Sequence, residues 1–107
     1  MSLSEADAVF AKEIFAGLGP LTTRKMMGGL CLYSEGTIFA IVNSDGSIFL
    51  QGAKGFGDDL EAAGGTQWTY TRDNGKTTAM PYWSLPEAAP DDPDLACDWA
   101  RRALSHL

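Results

Sequence analysis

Residues 26–51 read MMGGLCLYSEGTIFAIVNSDGSIFLQ, which is three apolar runs separated by two short polar breaks. The runs cover residues 26–33, 37–43 and 47–51 and are rich in the aliphatic and aromatic residues that favour β-strands. Gly36 and Gly46 occupy the breaks, where a hairpin turn needs a positive φ angle. Connections this short join antiparallel neighbours. The stretch therefore predicts a three-stranded antiparallel meander.

A helix is expected before the meander. Ser4 is a suitable N-cap, and acidic residues follow it in the first turn. Phe10, Ile14 and Leu18 recur every four residues, which places one apolar stripe along the helix. We interpret that stripe as part of the hydrophobic core.

The segments after the meander predict two more helices and two more strands. Helical spacing of apolar residues marks residues 56–63, and alternation marks a strand around 68–71. A return strand over 76–82 follows an Asp-Asn-Gly turn. Asp92 and Pro93 are expected to begin the last helix, since Asp caps helix N-termini and Pro fits the first position.

These elements predict a single α+β domain over residues 1–107. The expected order is α-β-β-β-α-β-β-α, with an antiparallel five-stranded sheet packed by helices. Pro81 lacks an N–H group, so its part of the last strand is expected at a sheet edge or at a bulge.

Composition and charge favour a soluble cytoplasmic protein. The chain carries eight basic and fourteen acidic residues, for a net charge of −6. Binding to nucleic acid depends largely on Lys and Arg neutralising phosphates, so direct binding to DNA is not expected. No apolar run approaches the roughly 20 residues that a membrane helix needs. The N-terminus also lacks the basic-then-apolar pattern of a signal peptide.

No residue set predicts a catalytic, cofactor or metal site. Cys31 and Cys97 read as reduced, buried thiols, with one disulfide between them as the alternative. Together with His106 they lack the close spacing of structural zinc ligands. His106 is also next to the chain end, where fraying would prevent it from acting as a positioned base. Residues 75–77 read Gly-Lys-Thr, but the other elements of a phosphate-binding loop are missing.

Four residues form the candidate interaction surface: Arg24, Lys25, Tyr82 and Trp83. Arg24 and Lys25 are the most informative basic pair, and aromatic residues concentrate at interface hot spots. The alternatives are an ordinary polar loop for the basic pair and a place in the core for the aromatic pair.

A series of motifs in the chain resembles the N-terminal domain of the TfoX (Sxy) family. The motifs are RKMMGG at 24–29, Tyr33 with GTIFA at 36–40, WTYT at 68–71, MPYW at 80–83, Pro-Glu at 86–87 and Trp-Ala at 99–100. They keep the family's order and spacing over about residues 18–104. Met27 stands where the family usually has Phe, and Pro81 replaces a small polar residue.

The resemblance implies an antiparallel sheet packed by helices and a bacterial regulatory role. Longer members carry a C-terminal domain of helix-hairpin type and promote transcription of competence genes alongside a catabolite activator. This chain is expected to lack that second domain. Family members are not known as enzymes, so the resemblance supplies no catalytic residues and no cofactor.

The leading hypothesis is therefore a non-enzymatic, cytoplasmic protein-interaction module with a partner in the transcription machinery. The alternative is a small-ligand-binding or catalytic domain with a pocket between sheet and helices. Weak direct DNA binding is a third option. A homodimer through a free sheet edge also remains open.

Overall fold

The computed structural model describes residues 3–26, 28–71, 73–86 and 88–107. Met27 and Glu87, which contribute to the motifs above, lie outside the described residues. The described elements are, in order, α1 (Glu5–Ile14), β1 (Leu21–Met26), β2 (Gly29–Ser34), β3 (Thr37–Val42), β4 (Ile48–Gln51), α2 (Phe56–Ala62), β5 (Gln67–Thr71), β6 (Thr77–Ser84) and α3 (Pro93–Ser105). Short 3₁₀ turns precede β1, α2 and α3.

The predicted meander is confirmed as β2, β3 and β4. Each pairs antiparallel with the next, and the whole sheet has the order β1-β2-β3-β4-β6-β5. Glu35 and Gly36 connect β2 to β3 with φ angles of 51° and 82°, the left-handed conformation that a tight hairpin requires. The α+β class and the antiparallel sheet were therefore predictable from the sequence.

The sheet has six described strands and not the predicted five, and the additional strand is β1. The strand pairs along its full length with β2, from Leu21 opposite Ser34 to Met26 opposite Gly29. All its residues after Leu21 are exposed, since it lies at the sheet edge. A strand with little burial has no apolar alternation, so its sequence carried no strand signal.

Pro81 lies at a bulge, one of its two predicted positions. Strand β6 lies between β4 and β5, so Pro81 is not at an edge. Gln67 pairs with Trp83 and Thr69 with Ala79, which sets four steps along β6 against two along β5. The extra residues of β6 do not take part in the regular hydrogen-bond ladder with β5 at this point. The missing N–H group of Pro81 is therefore tolerated there.

The described helices pack on one side of the sheet. Leu32, Ala40, Val42 and Leu50 point to this side and are at most 1% exposed. Phe15, in the turn after α1, packs edge to face against Phe39. The two ring centroids are 5.3 Å apart and the ring planes make an angle of 86°. The opposite side of the sheet, which we call the open face, carries the residues that alternate with these.

Both predicted N-caps are confirmed. The Ser4 hydroxyl accepts a hydrogen bond from the Asp7 backbone N–H at 3.1 Å and begins α1. The Asp92 carboxylate accepts from the Leu95 N–H at 3.2 Å, with Pro93 at the first position of α3. Each cap satisfies a donor that the first turn of a helix leaves free.

Candidate functional site

The open face of the sheet is apolar although no described helix packs against it. Successive side chains of a strand point to opposite sides, so Leu30 and Leu32 face the helices while Cys31 faces away. Ile41 lies opposite Cys31 on β3 and shares the open face with it. An antiparallel sheet with one solvated side usually alternates apolar with polar residues. Here the alternation is lost, and both sides are apolar.

A cavity of about 800 Å³ lies on the open face. Its apolar lining comes from four strands and consists of Met26, Ile38, Ile41, Trp68 and Met80. Met26 belongs to β1 and Trp68 to β5, which are the two edges of the sheet. Because both edges line one cavity, the sheet is curled around it. We call this site the open-face cavity.

Five polar or polarisable residues complete the lining of the open-face cavity: Cys31, Asp73, Asn74, Thr78 and Tyr82. Asp73 and Asn74 come from the turn between β5 and β6, so they lie toward the β5 edge. Cys31 is on β2, toward the other edge. The cavity therefore has polar groups at both ends and an apolar middle.

The Cys31 thiol is the polar group closest to the β1 edge. Its Sγ atom lies 3.6 Å from the thioether sulfur of Met26. Burial raises the pKa of the Cys31 thiol, while the Arg24 charge partly lowers it. Loss of water disfavours a thiolate, so the thiol is neutral near pH 7. Cys31 and Cys97 are both buried free thiols, so neither forms a disulfide.

The Tyr82 hydroxyl is held in its protonated form. Burial is the largest cause that raises the pKa of Tyr82, and the charges of Cys31 and Tyr33 add to it. Gln51 lies opposite Tyr82 in the pairing of β4 with β6. The Gln51 side-chain carbonyl oxygen is buried and has no hydrogen-bond donor among the described residues.

The structure divides the candidate basic pair between the two sides of the sheet. Arg24 lies opposite Cys31 and so shares the open face with it, next to a residue that lines the cavity. Lys25 lies opposite Leu30, on the helix side, and lines a smaller groove with Leu3. Both side chains are exposed and both belong to the edge strand β1.

The candidate aromatic pair is divided in the same way. Tyr82 lines the open-face cavity. Trp83 lies on the helix side, where its indole packs over Gly52 and Gly57 and its Nε1 donates a hydrogen bond to Glu61 at 2.9 Å. Both are half-buried. Of the four predicted residues, the structure thus brings Arg24 and Tyr82 to one face and separates them from the other two.

The alternative prediction placed a pocket between the sheet and the helices. The open-face cavity lies on the other side of the sheet. Its central residues, Ile41, Trp68 and Met80, were not among the predicted site residues. Apolar residues at both odd and even positions of β2 and β3 are the signal that could have indicated them.

The described residues do not bring together a recognisable catalytic or metal-binding set. In that part of the chain no three His, Cys, Asp or Glu side chains are close enough to hold a metal ion. His106, next to the chain end, stacks its ring on that of Phe56, with the ring centroids 4.9 Å apart. None of the described helices is long and apolar enough to cross a membrane.

Comparison with known proteins assigns the fold to a family. A comparison with curated proteins found no match. The family model of the TfoX N-terminal domain matches residues 13–107, which is nearly the whole chain and includes the six described strands, α2 and α3. This match confirms the resemblance of the sequence motifs, and the chain therefore belongs to the TfoX N-terminal domain family.

Proposed function

We propose that the chain is a non-enzymatic, cytoplasmic protein-interaction module of bacterial transcription regulation, of the kind that acts on competence genes. Family membership supports the regulatory role. The structural observation behind the proposed contact is the edge strand β1, which is exposed from Thr22 to Met26 and carries Arg24 and Lys25. Its partner would be a protein of the transcription machinery.

Strand β1 has the geometry to accept a strand from a partner. Among the described residues it pairs with β2 on one side only, so the backbone N–H and C=O groups on its outer side have no strand partner within that part of the chain. Proteins use such edges to bind an extended segment, with backbone hydrogen bonds for affinity and alternating side chains for specificity. Arg24 and Lys25 would then contact opposite faces of the added strand.

The charges of β1 favour an acidic partner over a second copy of the chain. Self-pairing through this edge would place two strands with two positive charges each beside one another, and like charges across a ladder are unfavourable. Carboxylates on a partner strand would instead pair with Arg24 and Lys25. The net charge of −6 also opposes association with duplex DNA.

The test is capture of partners from a lysate of a competence-capable bacterium by wild-type protein and by the Arg24→Glu/Lys25→Glu variant. Lys54→Glu/Lys76→Glu is the matched control, because it makes the same change in charge at two exposed sites away from β1. We expect the wild type and the control to capture RNA polymerase or a transcription activator, and the β1 variant to lose it. Continued capture by a folded β1 variant would remove this strand from the proposal.

Hydrogen exchange gives a second readout that does not depend on charge. A partner strand paired with β1 should slow exchange of backbone amides in residues 21–26, and the rest of the sheet should change little. Dissociation of the captured protein as the salt concentration is raised, together with salt-sensitive binding of the purified chain to DNA, would favour the nucleic-acid option instead.

Small-ligand binding is a second candidate function, and the open-face cavity is the observation that favours it. Its volume of about 800 Å³ falls in the ordinary range of ligand sites, roughly 300–1,000 Å³.

A further inference from the structure

The geometry points to a binding site for a small amphiphilic carboxylic acid in the open-face cavity, with its apolar body between Ile41 and Met80 and its carboxylate at Arg24. This inference rests on the second candidate function and deepens it by naming a class of ligand, and it does not depend on a protein partner. It rests on the shape of the cavity, on its apolar middle and on the charges at its two ends.

The middle of the cavity suits an aliphatic body. Ile38, Ile41, Met80 and Trp68 supply branched, flexible and aromatic surfaces around one space. Thioether side chains adapt to irregular apolar ligands because they have several rotatable bonds. Phe49 supports Trp68 from the neighbouring part of the sheet, with ring centroids 6.1 Å apart. Trp68 is therefore packed against a second aromatic side chain of the same face.

The charges at the two ends define the direction of the ligand. Arg24 stands at the β1 end beside Cys31, and none of the described carboxylates lies within ion-pair distance of it. Asp73 lies at the β5 end and would repel an anion there. A carboxylate is therefore attracted to one end of the cavity and repelled from the other.

The neighbours of Arg24 favour a carboxylate over a cation. A guanidinium group can hold a carboxylate with two parallel hydrogen bonds. The Cys31 thiol is neutral because its pKa is raised by burial, so it does not oppose the anion. Tyr82 lines the cavity from β6, away from Arg24 in the strand order; its hydroxyl keeps its proton for the same reason and can donate it in a hydrogen bond to a polar ligand group.

Decanoate is the probe, and calorimetric titration of the purified chain is the measurement. We expect a Kd on the order of 0.1 mM, in line with the binding free energy that small ligands gain per atom. Decanol has the same chain without the carboxylate and should bind at least about tenfold more weakly, because a hydrogen bond between charged groups is lost. Methyl NMR signals of Met26 and Met80 should shift on addition of decanoate.

Variants locate the site. Arg24→Gln should weaken decanoate by about tenfold or more, since it removes the charged contact. Lys25→Gln is the matched control: it removes the neighbouring charge from the other side of the sheet and should change the Kd by about twofold at most. Met80→Gln places a polar amide in the apolar wall and should weaken decanoate and decanol alike.

Three results would overturn the inference. One is the absence of heat and of methyl shifts with folded wild-type protein. Another is decanoate binding that is equal in wild type and Arg24→Gln. The third is a dimer, seen by light scattering, whose interface covers Met80 and excludes decanoate. Loss of partner capture in Lys25→Gln with unchanged decanoate binding would separate this site from the proposed function.

Discussion

Replacing Gly57 by alanine should change the free energy of unfolding through two opposing effects, one of which arises at the contact with Trp83. The added Cβ of a Gly57→Ala variant would lie 2.5 Å from Cζ2 of Trp83, whereas carbon atoms in contact prefer about 3.5–4.0 Å. The indole has little room to move, because Gly52 lies under it and its Nε1 is bonded to Glu61 at 2.9 Å. Either the ring or α2 has to shift.

Helix propensity acts in the other direction. Gly57 lies inside α2, where alanine is more favourable than glycine by about 1 kcal/mol. Forcing an extra carbon into a packed site typically costs about 1–3 kcal/mol. The steric cost is the larger of the two, so we expect Gly57→Ala to lower the free energy of unfolding by about 1 kcal/mol.

A double-mutant cycle isolates the contact. In a Trp83→Leu background the far ring atoms are absent, so Gly57→Ala should then stabilise the protein by about 1 kcal/mol. The coupling between the two sites should be about 2 kcal/mol. Urea unfolding followed by far-ultraviolet circular dichroism measures all four proteins without relying on tryptophan fluorescence.

The exposed Ala62 provides the control within the same helix. Ala62 is the last residue of α2, so Ala62→Gly should cost at most about 1 kcal/mol, and the same amount whether or not Trp83 is present, because only helix propensity changes there. A Gly57→Ala variant that is equally stabilised in both backgrounds would refute the packing of Trp83 over Gly57.

Three further predictions concern single groups. Gln51→Met should raise the free energy of unfolding by about 1 kcal/mol in urea titrations, because it removes a buried oxygen without a donor; a loss would indicate a hidden partner. In a Cys97→Ser background, the pH profile of Cys31 alkylation should have its midpoint above the unfolded value of 9.0, and Arg24→Gln should raise it further. Since that pKa is raised on folding, the stability contributed by neutral Cys31 should be complete below pH 9.0 and lost as pH rises through the folded value. Asp92→Ala should cost about 1 kcal/mol in the same urea titrations through loss of the α3 cap, and an unchanged midpoint would contradict that role.

The sequence predicted those parts of the fold that depend on local chemistry. Gly36 and Gly46 marked hairpin turns because few other residues adopt positive φ, and both turns have it. Asp92 with Pro93 marked the start of α3 for similar local reasons. Strand β1 was missed because its form depends on its partner β2 and not on a pattern of its own.

The open-face cavity could not be predicted in the same way, because it depends on curvature. Side chains of β1 and β5 line one space only when the sheet bends, and the pairing shifts at Leu32 and at the Pro81 bulge contribute to that bend. The sequence indicated a bulge at Pro81 but not the direction in which it turns the strand. Arg24 and Lys25 are adjacent in the sequence. That their side chains lie on opposite faces of the sheet follows only once both residues are assigned to a strand.

The open face carries apolar residues that do not contribute to the hydrophobic core on the helix side of the sheet. A sheet covered on one side folds with polar residues on the other, as antiparallel sheets commonly do. Ile38 and Ile41 instead face a cavity, and contiguous apolar surface of this kind usually marks a site of interaction. Because the sheet curls and Trp68 stands at one wall, this surface is concave and not flat. A concave apolar site with opposite charges toward its two ends, Arg24 and Asp73, suits a small amphiphilic molecule better than it suits a broad protein surface.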